Sequence, residues 1–226
     1  PLVRLCHDLG VPLSPRGAGT GTVGGCLADH GGVVLDLGGL KQILDIDTRS
    51  MLVEVEPGVL TGDLHRAVEA QGLFYPPDPA SLKICSVGGN VATNAGGPRA
   101  CKYGVTGNFV LALDVVDGTG AAHVVGHRSI KGVTGYNLAG LLVGSEGTLG
   151  VLSQCTLRLI PKPPFAVTLL ASFASMSSGS ASTTGPGRPW QAVWKARATY
   201  SGRRSACCTS AAHLAMPSVP GPSIWR

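Results

Sequence analysis

A glycine-rich segment, PRGAGTGTVGG at residues 15–25, is the first place in this sequence where residue types and spacing suggest binding chemistry. Because glycine has no Cβ atom, such a loop can bring successive backbone N–H groups close to an anion, and phosphate is the commonest anion held in this way. Arg16 stands beside the glycines, and a guanidinium is well suited to phosphate oxygens. The segment therefore suggests an anion-binding loop, with a plain surface loop as the alternative.

The loop fits neither of the two commonest phosphate-binding motifs. A Walker motif requires Gly-Lys-Ser/Thr, and no such triplet follows the glycines. Gly19, Gly21 and Gly24 match the spacing G-x-G-x-x-G, but that fingerprint requires a helix directly after the last glycine. Residues 33–37, VVLDL, instead predict a buried strand, and the residues between leave no room for a helix. The sequence therefore argues against a Rossmann dinucleotide site.

Two further segments of similar composition follow along the chain. PPDPASLKICSVGGNVATNAGG at 76–97 combines paired glycines with hydroxyl and amide side chains that can hydrogen-bond phosphate, a ribityl chain or a ring edge. GSEGTLGV at 144–151 adds a carboxylate, Glu146, among small residues. All three segments lie between predicted regular elements, so a role as linkers explains them poorly. They suit one long ligand wrapped by two lobes.

The charge distribution argues against a nucleic-acid-binding protein. All thirteen acidic residues lie at or before Glu146, while residues 147–226 carry eight Lys or Arg residues and no acid. The part predicted to fold is thus mildly acidic, and the overall net charge of +5 is no evidence for nucleic-acid binding there. No apolar run reaches the ~20 residues that a membrane-spanning helix needs.

The cysteines and histidines form no recognisable ligand set. Seven cysteines occur without a C-x-x-C pair, which favours a reducing compartment over a disulfide framework or a zinc site. His123 and His127 have i, i+4 spacing, but they lie on a predicted strand, roughly 13 Å apart at the usual rise, so shared metal ligation is not expected. The sequence therefore predicts no metal site, and it identifies no catalytic residue.

Short regular elements are predicted to position the three segments. Hairpins are expected where QILDID and MLVEVEPG flank residues 48–50, and where FVLALDVV and AAHVV flank Asp117 and Gly118. Residues 61–72 predict a helix with Thr61 as its N-cap. YNLAGLLVG predicts a further helix, and VLSQCTLRLI predicts a strand. Short α/β units with antiparallel hairpins predict an α+β domain rather than a doubly wound sheet.

Six motifs, in this order, give the sequence a resemblance to a known family: PRGAGTG, VEPGV, PPDPAS…SVGGNVATNAGG, KYGVT, GYNL and GSEGTLGV. They resemble the FAD-binding domain of the vanillyl-alcohol oxidase type. Within that type they are most similar to the FAD-linked 2-hydroxyacid dehydrogenases, which include the glycolate oxidase catalytic D subunit, D-lactate dehydrogenase and D-2-hydroxyglutarate dehydrogenase. The resemblance runs from Leu2 to about Phe173. It implies a two-lobed α+β fold that is truncated at both ends in this chain.

The resemblance implies a site for FAD. The first segment would hold the pyrophosphate, the second the ribityl chain and isoalloxazine ring, and the third would run beside the cofactor on the other side. Thr20 stands where relatives with covalently attached flavin often carry a histidine, which implies a non-covalent flavin. The implied cofactor contacts are Arg16, Gly17, Ala18, Gly19, Thr20, Gly21, Pro79, Ser81, Ser86, Gly89, Asn90, Thr93, Glu146, Gly150 and Val151.

A reaction and its setting also follow from the resemblance. A small 2-hydroxy acid, glycolate or D-lactate, would be oxidised to the 2-oxo acid. Partners would be an iron–sulfur subunit and a second flavin subunit, as in glycolate oxidase, in the cytoplasm and at the periphery of the inner membrane. An inactive flavin-binding fragment of a truncated or frameshifted gene is the alternative. Cys101 is expected to be a buried structural cysteine. Asn137 replaces the usual aspartate and could loosen the fold locally.

Three regions are expected along the chain. Residues 1–162 would form the FAD-binding domain, with an incomplete N-terminus because the sequence begins without methionine inside a helical pattern at residues 2–9. Residues 163–173 would begin a substrate domain, which in the family supplies the groups that bind the substrate. Residues 174–226 show no hydrophobic period and contain no Asp or Glu, so they are expected to be unstructured or translated out of frame.

Overall fold

A computed structural model of the chain describes residues 1–164, and beyond them only four strands of two residues each. The chain divides into two units, Pro1–Lys162 and Pro163–Arg226. In the second unit Val167–Thr168 pairs with His213–Leu214 and Leu170–Ala171 pairs with Lys195–Ala196. The remaining residues beyond 164 lie outside the described part, so the expected domain boundaries and the out-of-frame tail stay predictions.

The first unit alternates short helices with short strands. In chain order these are α1 (Leu2–Asp8), β1 (Leu13–Arg16), β2 (Val33–Asp36), β3 (Ile43–Asp47), β4 (Leu52–Val55), α2 (Thr61–Ala70), β5 (Leu73–Phe74), α3 (Val87–Thr93), α4 (Ala100–Tyr103), a 3-10 turn (Thr106–Asn108), β6 (Val110–Val116), β7 (Ala122–Gly126), α5 (Leu138–Leu142), β8 (Val151–Arg158) and β9 (Ile160–Pro161).

The strands form one antiparallel sheet and two smaller pairs. Five strands are ordered β3-β4-β8-β6-β7, and each neighbouring pair in this sheet is antiparallel. β5 pairs with β9, and β1 pairs in parallel with β2. Parallel strands need a long crossover, which is usually a helix. Here residues 17–32, which include the glycine loop, form the crossover without any helix. The predicted α+β fold is therefore confirmed.

The core lies between the antiparallel sheet and the helices α2 and α3. Side chains of β4, β6 and β8 share one buried cluster with Leu64 and Val68 of α2 and with Val87 and Val91 of α3. Tyr75 is completely buried in the same cluster. Burial of large apolar side chains at about 25 cal/mol per Å² is the main force that holds such layers together. This packing fixes α3, whose opposite side faces the glycine loop.

The predicted hairpins are present, and aspartates stabilise both of their turns. Asp47 Oδ1 accepts hydrogen bonds from the backbone N–H groups of Arg49 and Ser50 between β3 and β4. Asp117 Oδ1 accepts from the N–H groups of Thr119 and Ala121 between β6 and β7. Such side-chain acceptors replace backbone turn bonds and explain why these short loops follow aspartate. Side-chain hydrogen bonds lower the pKa of both carboxyl groups, from Ser50 to Asp47 and from Thr119 and then His123 to Asp117, and the backbone bonds act in the same direction.

Two local predictions about the elements were wrong. Thr61 does not cap α2, because Leu60 is the N-cap residue and the Thr61 hydroxyl is buried, where it donates to the carbonyl oxygen of Cys85 over 3.3 Å. Residues 33–37 are not a buried strand: β2 alternates between half-buried and exposed residues, and only Leu37 is buried. The reason is that β2 pairs with β1 alone and is not part of the antiparallel sheet.

Two further side chains differ from expectation in their exposure. Cys101 is exposed on α4 and is not a structural core residue. In α1 the apolar pattern forms the predicted helix, but Leu5 and Leu9 are 54% and 67% exposed while Cys6 is 5% exposed. Asn137, by contrast, performs a definite local role, since its Oδ1 accepts from the backbone N–H of Gly140 over 2.8 Å and caps α5.

Candidate functional site

A cleft of about 400 Å³ lies between the glycine loop, the segment around α3 and Glu146. This volume falls within the range of small-molecule sites, roughly 300–1,000 Å³. The three segments that the sequence singled out therefore meet at one place. The predicted contact residues that line the cleft are Gly17, Ala18, Gly19, Thr20, Gly21, Pro79, Ser81, Ser86, Gly89, Asn90, Thr93 and Glu146.

Further residues line the cleft that were not among the implied cofactor contacts, although all but Cys26 lie within the segments that the sequence singled out. They are Pro15, Thr22, Val23, Gly24, Gly25, Cys26, Ala92, Asn94, Ala95 and Gly96. Most of them continue the same two segments. The sequence signal that could have identified them was that small residues continue as far as Gly25 in the first segment and from Ala92 to Gly96 in the second. Cys26 had no such signal, because a single cysteine after a glycine run is unremarkable by type or spacing.

The glycines let the loop pack closely against its neighbours and adopt an unusual backbone conformation. A Cβ atom on Gly17 would lie 2.5 Å from Ser86 Oγ, too close for any other residue without movement. Gly19 has φ +66° and Gly24 has φ +88°, a backbone conformation that residues with a Cβ rarely adopt. The loop thus owes both its shape and its contact with α3 to the absence of side chains.

Ser86 joins the glycine loop to α3. Its Oγ accepts hydrogen bonds from the N–H of Ala18 over 3.2 Å and from the N–H of Gly89 over 3.3 Å. The second bond makes Ser86 the N-cap of α3. Because the side chain is 2% exposed, its hydroxyl serves the protein's own backbone at the edge of the cleft.

Asn90 is fixed by a hydrogen bond to α2. Its Nδ2 donates to Thr61 Oγ1 over 2.7 Å, and Thr61 in turn donates to the carbonyl oxygen of Cys85. Asn90 is 3% exposed although it lines the cleft. A buried amide that is fixed in this way keeps one orientation, since rotating it would break a hydrogen bond in a medium of low dielectric constant.

Glu146 is the one carboxylate among the residues that line the cleft. Its backbone has φ +56°, a left-handed conformation that is strained for a residue with a side chain. The N–H of Glu146 donates to the carbonyl oxygen of Ala92 over 2.8 Å, which holds it beside α3. Its Oε2 lies 3.2 Å from the place that a Cβ on Gly25 would occupy, so the carboxylate faces the glycine loop.

Among the described residues that line the cleft there is no Lys, Arg or His. Glu146 and Cys26 are its ionisable side chains. A bound anion would therefore meet backbone N–H dipoles rather than a cation. Arg16, one of the expected contact residues, does not line this cleft; its Nε lies 3.3 Å from the place of a Cβ on Gly19, which does. Arg16 lines a neighbouring cavity together with Asp36 and Lys41.

Gly150 and Val151 also lie outside the cleft. They line a second pocket of about 370 Å³, together with Pro15 and Asp117. A small cavity of about 50 Å³ shares Pro15 and Glu146 with the cleft and Pro15 and Gly150 with the second pocket. The three spaces thus form a series along Pro15 and the segment from 146 to 151.

The wall of the cleft that carries Pro79 and Ser81 is anchored to α2 by a buried histidine. His65 Nε2 lies 2.9 Å from the carbonyl oxygen of Pro77 and donates to it. Burial lowers the pKa of His65 below its usual value of 6.5, and the charge of Arg99 acts in the same direction. The ring is therefore held in its neutral form, which has the N–H that this bond requires.

The described residues contain no group of three or more His, Cys, Asp or Glu side chains that could hold a metal ion. His123 instead lies 2.8 Å from Asp117 Oδ2, at the turn between β6 and β7. Across the same part of the chain, no helix has the length and apolar character needed to cross a membrane.

Comparison with known proteins places residues 1–126 in a family described as FAD binding domain. Glycolate oxidase subunit GlcD of Bacillus subtilis (strain 168) is 45% identical over 79% of this chain and 38% of its own length. D-lactate dehydrogenase of Anaerostipes hadrus is 44% identical over 77% of this chain and 37% of its own. D-2-hydroxyglutarate dehydrogenase of Xanthomonas citri pv. viticola is 42% identical over 75% and 36%. The chain thus spans little more than a third of these relatives.

Two solved structures share the architecture. An alkyldihydroxyacetonephosphate synthase matches with a TM-score of 0.63 and 26% identity, over 73% of this chain and 32% of its own. 6-Hydroxy-D-nicotine oxidase from Arthrobacter nicotinovorans matches with a TM-score of 0.63 and 25% identity, over 74% of this chain and 35% of its own. In each case the match again covers about a third of the larger protein.

Proposed function

Because this chain belongs to the FAD-binding domain family, we propose that its cleft holds FAD without a covalent bond, as the cofactor-binding part of an enzyme that oxidises a small 2-hydroxy acid. The family and the vanillyl-alcohol oxidase type of fold that the motifs predicted are confirmed, and FAD is the cofactor of the family. The residue contacts, the substrate and the partners are the proposal.

The observation that carries the proposal is the meeting of three glycine-rich segments around one cleft. The backbone N–H groups of the glycine loop, apart from that of Ala18, which donates to Ser86, are proposed to bind an anion, as suits the pyrophosphate. Ser81, Thr93 and Asn94 add hydroxyl and amide groups. A carboxylate repels phosphate and accepts hydrogen bonds from hydroxyls, so Glu146 suits a part of the cofactor that carries hydroxyl groups.

The series of cavities along Pro15 suits an extended ligand. A dinucleotide is an extended ligand. If one part occupies the cleft of about 400 Å³, the second pocket offers room for its other end. In this arrangement Gly150 and Val151 contribute to the site from the second pocket, although they do not line the cleft. The Arg16 guanidinium lies beside Gly19, and in the proposed site its positive charge favours an anion at the loop.

When bound, FAD supplies a hydride acceptor for the α-carbon of the 2-hydroxy acid. The residues of this chain bind the cofactor and fix its orientation. No cationic side chain lines the cleft in the described part, so the groups that hold a substrate carboxylate and accept the hydroxyl proton are proposed to lie outside residues 1–164.

The substrate class rests on the relatives. Their names specify glycolate, D-lactate and D-2-hydroxyglutarate, and we favour glycolate or D-lactate for this chain. An iron–sulfur subunit and a second flavin subunit are the proposed partners, by similarity to glycolate oxidase subunit GlcD. The proposed setting is the cytoplasm, at the periphery of the inner membrane.

Release of flavin on denaturation tests the binding mode. The purified chain is loaded with FAD, freed of excess cofactor by gel filtration, denatured with acid and centrifuged. We expect yellow colour in the supernatant, because Thr20 offers no nucleophilic ring nitrogen at the position where a covalent tether would form. Flavin in the pellet would show a covalent bond, and a colourless protein before denaturation would contradict the proposed function altogether.

A chimera tests the reaction. Residues 1–162 replace the matching part of the Bacillus subtilis glycolate oxidase subunit GlcD, and glycolate-dependent dye reduction is measured. We expect the chimera to be active and the 226-residue chain to bind FAD without dye reduction above free flavin, since positioning of the substrate accounts for roughly 7–11 kcal/mol of the barrier in well-oriented systems. A chimera that holds FAD but does not react with glycolate or D-lactate would contradict the proposed substrate class.

A further inference from the structure

Two walls of the cleft are joined by a largely buried ion pair that lies beside the cleft. Asp78 directly precedes Pro79 on one wall, and Arg99 follows residues 94–96 on the other. Asp78 Oδ1 accepts from the backbone N–H of Arg99 over 2.9 Å, and its Oδ2 lies 3.3 Å from Arg99 Nε. The Asp78 and Arg99 side chains are 10% and 21% exposed. One residue is thus bound through both its backbone and its side chain.

The surroundings leave this pair little freedom. A Cβ atom on Gly97 would overlap the carbonyl oxygen of Asp78, so the two walls touch through backbone. The guanidinium of Arg99 lies 4.9 Å above the centre of the Phe74 ring. His65 holds the carbonyl oxygen of Pro77, the residue before Asp78. The wall is therefore fixed at Pro77 and at Asp78 itself.

We propose that Asp78 and Arg99 are positioning residues that hold residues 79–81 and 94–96 at the separation that the flavin requires. This inference rests on the proposed function for its ligand and on the ion pair for its geometry. Neither side chain lines the cleft, so the pair acts through Pro79 and Ser81 on one side and through residues 94–96 on the other.

Stability alone explains the pair poorly. Removing two charges from water costs much of what their attraction returns, and apolar residues of similar volume are often as stable as a buried pair. In addition, Arg99 Nη1 is buried and finds no hydrogen-bond partner among the described residues, which is a further cost. An apolar pair could not reproduce the two contacts of the Asp78 carboxylate, which accepts from the backbone N–H of Arg99 and pairs with its side chain.

The double variant Asp78→Leu/Arg99→Met, made in the full 226-residue chain, separates a contribution to stability from the positioning of the two walls. Single variants should unfold at lower urea concentration than wild type, because each removes one partner of a largely buried ion pair and keeps the other charge. The double variant should regain much of that stability. It should nevertheless bind FAD at least tenfold more weakly, and its bound flavin should show a changed visible circular dichroism. In the ligand-free protein, backbone amides of residues 79–81 and 94–96 should exchange with solvent at least tenfold faster.

The matched control is Glu69→Leu/Lys162→Met, which removes an ion pair of 2.9 Å whose side chains are 34% and 47% exposed and which lies away from the cleft. It should change neither FAD affinity nor amide exchange at the two walls. A double variant Asp78→Leu/Arg99→Met with wild-type exchange at both walls would overturn the inference. The exchange measurement needs no ligand, so it decides the role of the pair even if wild type fails to bind FAD, a result that contradicts the proposed function instead.

Discussion

The hydroxyl of Ser86 accepts a hydrogen bond from the backbone N–H of Ala18 over 3.2 Å, although 68 positions separate the two residues in the sequence. The same oxygen caps α3 through Gly89. A single buried side chain therefore fixes the glycine loop relative to the helix that faces it across the edge of the cleft.

Replacing Ser86 with Ala should weaken both the fold and the cofactor site. Loss of an N-cap costs about 1 kcal/mol of unfolding free energy, and the half-buried N–H of Ala18 loses its acceptor as well. We expect urea unfolding to show this loss and fluorescence titration to show weaker FAD binding. Asn137→Ala is the matched control, because it removes the cap of α5 away from the cleft. Equal FAD affinity in both variants would refute the role of Ser86 in shaping the loop.

Gly21→Val should block FAD binding while leaving the fold intact. In the described part of the chain, Thr93 Cγ2, 3.9 Å away, is the one atom within 4 Å of the place of a Cβ on Gly21, so the fold tolerates a side chain there. Because Gly21 lines the cleft, we expect at least a tenfold loss of FAD affinity and an unchanged far-UV circular dichroism spectrum. Gly39→Val, where no atom lies within 4 Å of the added Cβ, is the control. Unchanged affinity in Gly21→Val would mean that the cofactor does not approach this part of the loop.

Stability should decrease in acid because of His65. Burial keeps its pKa below 6.5 in the folded state, so below pH ~6.5 the unfolded chain takes up a proton that the folded chain does not. The free energy of unfolding therefore falls as the pH is lowered from that value, until folded His65 itself titrates. Urea unfolding between pH 7.5 and 5 measures the slope. His65→Gln should flatten it and exposed His30→Gln should not; a slope shared by all three proteins would contradict the assignment.

Thiol labelling should distinguish two cysteines near the site. Cys26 lines the cleft, whereas Cys101 is exposed outside it. Bound FAD should therefore slow alkylation of Cys26 and leave that of Cys101 unchanged, as measured by mass spectrometry of peptides. Cys155 is an internal reference that should not react in the native protein, because complete burial raises its pKa to about 12. Unaltered labelling of Cys26 with FAD bound would place the cofactor elsewhere.

Local signals in the sequence predicted the features that depend on neighbouring residues. The two hairpins follow from turn residues, which act within a few positions. The convergence of the three glycine-rich segments was predicted from their shared composition and from the family resemblance, because no local signal brings distant segments together. The errors concern side chains whose partners are distant. Thr61 donates to Cys85 and receives a bond from Asn90, so tertiary contacts removed it from its expected capping role.

The helix-free crossover between β1 and β2 has a consequence for how the protein is produced. Ordering the backbone of residues 17–32 costs about 1–2 kcal/mol per residue in conformational entropy, and glycine loses more of this entropy than any other residue. No apolar layer of that segment offsets this cost, since Val23 and Leu27 are largely exposed. A ligand that binds only the ordered loop would then act as a template for this lobe. We expect the yield of intact chain from cells to follow the supply of riboflavin, and proteases to cut first between residues 17 and 32 when flavin is scarce.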